Sequence, residues 1–130
     1  MSAADEVIAA TERLLGAVAA NDYATYEALS DASLTCVEPE THGQIVVGLA
    51  FHKHFFGLKP ATAGNAGSDK QNIVCRPLVR MLGPDHALIV YVRITQNAGK
   101  VSLAEETRVW RRDKLSKQWK NVHFHRSSRL

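Results

Sequence analysis

Apolar positions along this chain change their period once, near its middle. In the first part they follow helical spacing: Val7, Ile8, Thr11, Leu14, Leu15 and Val18 fall along one side of a helix. Ser2 followed by Asp5 resembles a capping box at its start, and it ends near "AAND". Asn21 or Asp22 caps a second, shorter helix with Tyr23, Tyr26 and Leu29 on one face. "SLTCVEPE" reads as a short strand stopped by Pro39, which lacks a ladder donor, and "QIVVG" as another. "LAFHKHFFGL" is a compact aromatic helix ended by Gly57 and Pro60. Residues 60–71, "PATAGNAGSDKQ", are small, polar and glycine-bearing, the composition of a mobile loop. Beyond them the chain turns to strands: "NIVCRPLVRML", a "GPD" hairpin with Pro84 at its early position, "HALIVYVRITQ", a turn at "NAGK", "VSLAEETRVWRR", a turn at "DKLSK", and "QWKNVHFHR". Helices first and long antiparallel strands last predict an α+β fold, a single domain over residues 1–130 whose curved sheet wraps around the helices.

The β-branched run "LIVYVRITQ" carries a single arginine, Arg93. Strand alternation puts Ile89, Tyr91, Arg93 and Thr95 on one face, and Leu88, Val90, Val92 and Ile94 on the other, which is expected to be the ordinary core. The following strands repeat the mixture, with Glu106, Arg108 and Trp110 sharing one face and Val122, Phe124 and Arg126 another. A guanidinium buried without a partner costs several kcal/mol, so each must meet a carboxylate, reach water or line a cavity. Two readings follow. In the first the arginines pair internally with Glu105, Glu106, Glu12 or Glu38. In the second they converge on a cavity that accepts an acidic ligand, since the guanidinium fork grips a carboxylate in two parallel hydrogen bonds.

Composition narrows the picture further. The chain has 130 residues, 45% of them hydrophobic and 22% charged, which is ordinary for a globular domain. No apolar run reaches the length of a membrane span, and no basic stretch precedes an apolar run at the N-terminus, so neither a membrane segment nor a signal peptide is predicted. Cys36 and Cys75 read as reduced thiols, which suits a cytoplasmic protein. The net charge of +3 gathers late, in "RVWRRDKLSKQWK" and "HRSSRL", a solvated hairpin and tail. No groove-reading motif accompanies it, so a nucleic-acid partner is not predicted.

The blocks "TERLLGAVAANDYATYEAL", "LTCVEPETHG", "FHKHFF", "YVRITQ", "EETRVWRRD" and "WKNVHFHRS" together resemble the association, or hub, domain of calcium/calmodulin-dependent protein kinase II, in order and with few gaps from about Val7 to Ser127. The resemblance implies a nuclear transport factor 2-like cone: helices and a strongly curved antiparallel sheet around a deep pocket. It also implies self-association, as dimers assembled into two stacked rings of a dozen or more subunits, without catalysis by the hub itself. In the kinase such a hub gathers catalytic domains. The implied pocket residues are Arg93, Arg108 and Arg126, with His52, Tyr26 and Glu12, and the implied occupants are a small carboxylate or an acidic segment. The chain shows no glycine-rich loop, no catalytic-loop signature and no basic amphipathic segment for calmodulin, and residues 60–71, His54 and Phe55 depart from the family's pattern.

No cofactor is expected and no metal is assigned. His52 and His54 stand two apart on a helix and do not face each other. His123 and His125 share a strand face, but no motif places a third zinc ligand beside them. A cone with a deep pocket also houses small isomerases and dehydratases. As such an enzyme this chain would act on an acidic substrate with Glu12, Glu38 or His52 as base, although neighbouring arginines would hold a carboxylate ionised and weaken it in that role.

Overall fold

The computed structural model describes residues 1–58 and 70–128. Helix α1 (Ala3–Ala20) begins at the Ser2 capping box, where Ser2 accepts from the Asp5 amide and Asp5 accepts from the Ser2 amide. It ends at Asn21, whose left-handed backbone closes the last turn. Asp22 caps α2 (Tyr23–Ala28) through the Thr25 amide. Strand β1 (Ser30–Val37), a single 3₁₀ turn at Pro39–Thr41, the short β2 (Val46–Val47) and α3 (Ala50–Leu58) complete the first part. Long strands β3 (Gln71–Met81), β4 (His86–Asn97), β5 (Lys100–Arg112) and β6 (Trp119–Arg126) follow. The expected mobile loop at residues 60–71 lies, but for its last two residues, outside the described residues.

All six strands form one sheet in the order β2-β1-β6-β5-β4-β3, antiparallel except for the parallel pair β1–β6. The β4–β5 hairpin turns on Ala98 and Gly99, both at positive φ, as a two-residue turn demands, and so pairs Asn97 with Lys100. Strand β3 carries a bulge between Cys75 and Leu78, with Arg76 at φ 52 and Pro77 tolerated because it sits in a bulge on the edge strand of the sheet. A second irregularity interrupts β5–β6 pairing between Val109 and Trp110. Such breaks add twist and bend the sheet into a trough.

Val7, Leu14 and Leu15 of α1, Tyr26 of α2 and Leu29 just past its end fill that trough against Ala87, Ile89, Tyr91, Trp110 and Trp119. The inner face of β4 is therefore the one bearing Ile89, Tyr91 and Arg93. This corrects the expectation that Leu88, Val90, Val92 and Ile94 form the ordinary core. They point outward, where no described helix covers them: Val90 is 38% exposed, its cross-strand partner Leu78 59%, and Ile73, paired with Ile94, 43%. Alternation tells which side chains stand together. It does not tell which of two apolar faces turns inward.

Candidate functional site

The open end of the trough is a cavity of about 770 Å³. Strand β4 supplies Arg93 to its lining, β5 Arg108, β6 Phe124 and Arg126, helix α2 Tyr26 and helix α3 His52. Among the described residues five basic side chains line it, these arginines with Lys70 and Lys100, against Glu38 and Glu40, so that part of the lining is net basic.

Behind the lining sits Glu106, 1% exposed, at the centre of the arginines. Its position follows from the turn: counting back from Asn97 and Lys100 sets Tyr91 opposite Glu106, with Arg93 one alternation away on the same face. Arg93 Nη1 lies 2.9 Å from Glu106 Oε2, and Arg108 Nη2 lies 3.1 Å from Oε1. The Tyr91 hydroxyl also donates to Oε1, and Arg126 Nε is 4.0 Å away. Burial by itself would raise the Glu106 carboxyl, but the Arg108 and Arg93 guanidiniums and the Tyr91 hydroxyl hold it down at about 2. Arg108, 2% exposed, spends its remaining donors on the Tyr91 oxygen and Asn121 Oδ1, both at 2.8 Å, and lays its plane 4.3 Å from the centre of the Phe124 ring. Arg93 Nε reaches Asn72 Oδ1 at 3.3 Å. Arg126 donates to Glu38 Oε1 at 2.8 Å and to Glu40.

On the opposite wall His52 is packed among Tyr26, Phe51 and Phe124. Burial first, then the Arg108 charge, pull its pKa down to about 4, so the ring is neutral at neutral pH. Burial raises the Tyr26 hydroxyl well above the usual phenol range. Glu12 is not part of this site. It is exposed on α1, one step around the helix from the buried Thr11, Leu14 and Leu15 stripe. The structure thus brings together five of the six residues predicted for the pocket and leaves Glu12 outside.

Residues 3–129 match the family model for the calcium/calmodulin dependent protein kinase II association domain. The chain belongs to this association-domain family. Among relatives it is 38% identical, over 127 residues and 94% of its length, to calcium/calmodulin-dependent protein kinase type II subunit delta of Oryctolagus cuniculus. It spans 23% of that relative's length. The hub homology domain from Chlamydamonas reinhardtii superposes with a TM-score of 0.87 at 42% identity, covering 97% of this chain and 98% of that one. The hub from S. rosetta gives 0.84 at 36% identity, with 100% and 98% covered. A nuclear transport factor 2-like protein from Rhodospirillum rubrum, 24% identical with a TM-score of 0.72 over 97% of this chain and all, 100%, of that one, shares the fold alone. The α+β cone expected from the sequence is therefore the observed architecture.

Association-domain membership accounts for which region of the larger relatives this chain matches: the association part, not the kinase part. It does not point to one cluster that the sequence reading passed over. Cys36 and Glu38 alternate on β1 and its extension, and α3 lays His52 across them, so that thiol, carboxylate and imidazole atoms come within 4.8 Å of one another. The signal was present in "TCVE", two ligand types at strand spacing, but nothing in the sequence says which histidine joins them.

Proposed function

We propose that this chain is an oligomerisation hub that self-assembles through the outer face of its sheet, as dimers closed into stacked rings of a dozen or more subunits. The observation that carries the reading is the uncovered apolar outer face, Ile73, Leu78 and Val90, on a member of the association-domain family. Contiguous exposed apolar surface of this kind is what a partner covers. Kinase domains are the natural passengers of such a hub, by analogy with the larger relatives. No described helix is long and apolar enough to cross a membrane. Light scattering behind a sizing column tests the assembly. A monodisperse particle of a dozen or more subunits is expected, and a monomer or dimer at micromolar concentration overturns it.

The cavity belongs to the same proposal: Arg93, Arg108 and Arg126, with His52 and Tyr26 beside them, take a small carboxylate or the acidic side chains of a segment. Net basic lining supports this, and Arg93 and Arg126 are only partly buried, so each can turn a donor toward an incoming anion. The alternative, a small isomerase or dehydratase of the cone fold, loses its bases one by one. Glu12 faces solvent, Glu38 is ion-paired with Arg126, and His52 sits beside the Arg108 charge that opposes its protonation.

A further inference from the structure

We propose that Cys36, Glu38 and His52 form a binding site for a divalent d¹⁰ cation of the zinc class, with three protein ligands and a fourth position open to the cavity. The thiol and one ring nitrogen are already spaced for it, while Glu38 Oε2 lies 3.9 Å from the ring's other nitrogen, Nδ1, so a small turn of the carboxylate or the ring brings all three onto one ion. Bonds of about 2.3 Å to a thiolate and about 2.0 Å to an imidazole nitrogen, set at a tetrahedral angle, put sulfur and nitrogen about 3.5 Å apart. Cys36 Sγ lies 3.5 Å from His52 Nε2 and 3.7 Å from Glu38 Oε2. These lengths are ordinary for hydrogen bonds to sulfur, and they equal the spacing of neighbouring ligands on one tetrahedral ion. A thiolate, an imidazole and a carboxylate are also a donor set that suits zinc rather than magnesium or calcium.

The surroundings orient the set. Arg126 donates to Glu38 Oε1 at 2.8 Å, which holds the carboxylate with its other oxygen, Oε2, facing the thiol and the ring. The Tyr26, Phe51 and Phe124 rings fix the plane of His52. Outer contacts of this kind typically govern affinity by about 10–100-fold. The neighbouring cations do not forbid the ion, because Arg108 pairs with Glu106 at 3.1 Å and Arg126 keeps Glu40 as a counter-charge when Glu38 turns its charge to the ion. As the metal–sulfur bond forms the thiol proton leaves to solvent, and Cys36 and Glu38 then carry the two negative charges that neutralise the divalent ion. Glu38 and His52 line the cavity while fully buried Cys36 lies behind them, so the ion enters through the cavity and keeps a water on that side. The site shares His52 and Arg126 with the proposed anion pocket, but its readout, metal absorption bands, is distinct from a melting shift produced by a carboxylate.

Cobalt(II) titration of the full assembled chain, followed by zinc competition, tests the proposal. Wild type is expected to show intense tetrahedral visible bands and a sulfur-to-cobalt charge-transfer band, saturating at one ion per chain and bleached by zinc. Cys36→Ser is expected to lose the charge-transfer band, Glu38→Gln to weaken zinc more than tenfold, and Cys75→Ser to change neither. A wild-type cobalt complex without charge transfer overturns the site, whether or not the Cys36 variant folds. So does an unchanged band in a folded Cys36→Ser, which would assign the sulfur to Cys75.

Discussion

The two faces of the sheet invert the usual arrangement of a soluble domain. The inner face buries charge: Glu106 and Arg108 are almost fully enclosed, beside a cavity edged by Arg93 and Arg126. The outer face exposes apolar side chains, with Leu78, Val90 and Ile73 open to solvent. Each half of this inversion needs an explanation, and the explanations differ. Buried charge is tolerable because both Glu106 oxygens and each of the three Arg108 guanidinium nitrogens have a partner close by. Exposed apolar surface has no such internal remedy. A contiguous patch of it marks a surface that a partner can cover. The inner face is therefore paired within one chain, and the outer face is the one proposed to be covered by a partner.

The largest expected effect breaks the outer half. Val90→Glu, with Leu78→Glu beside it across β3–β4, places charges on the face proposed to be covered. Assembly should collapse to a particle several-fold lighter, read by light scattering, while circular dichroism and cooperative melting persist. If the particle keeps its mass, the outer face is not the assembly surface. The next effect sharpens the inner half. Glu106→Gln keeps the shape of the side chain but leaves Arg108 buried without its counter-charge. Breaking a buried pair in this way costs about 3–5 kcal/mol, to be read by chemical denaturation. A cost below about 1 kcal/mol would mean that water already screens the cluster, and that the two faces differ less than their burial suggests.

Much of this was legible in the sequence because it is local. The Ser2–Asp5 box, the Asn21–Asp22 punctuation and the Ala98–Gly99 turn are written in residues that touch one another, and they set the element order. From the turn alone the Tyr91–Glu106 pairing could be counted, which places Glu106 among the arginines. What was not legible depends on three-dimensional cover. "LIVYVRITQ" is apolar on both faces, and only the position of α1 decides that Ile89 and Tyr91 turn inward and Val90 outward. Glu12 failed for the same reason, since a residue one step from a buried helical stripe belongs to the site only if a neighbour reaches it. The Cys36–Glu38–His52 cluster needed α3 to be folded across β1 before it existed at all.

Acid should separate the faces again, with a smaller effect. The groups around Glu106 are Arg93, Arg108, Tyr91 and, at 4.0 Å, Arg126. They lower its folded pKa from 4.5 to about 2, so its contribution to stability is present above pH about 4.5 and lost as pH falls toward 2. The loss is on the order of 3 kcal/mol. Glu106→Gln should flatten that part of the stability–pH curve, whereas an outer-face Val90→Thr should leave its slope unchanged. Parallel curves for wild type and Glu106→Gln would assign the acid sensitivity to other carboxylates.

The smallest effect asks whether the inner face, paired within one chain, still has charge to spare. A small carboxylate that binds only the folded protein stabilises it by about 2.7 kcal/mol at a hundred times its dissociation constant, falling with the logarithm of concentration below that. Arg93 is the sensitive position, because it is half-buried and holds Glu106 by a single nitrogen, Nη1, so another donor can face the ligand. Arg93→Ala should abolish most of the melting shift produced by a carboxylate panel. It should cost less bare stability than Glu106→Gln, since Arg108 still neutralises the carboxylate. Salt should weaken binding, though less than for exposed charges, because the cavity shields the pair. An equal shift in wild type and Arg93→Ala would mean that the arginines serve only Glu106, and that internal pairing alone explains why a β-branched strand carries one.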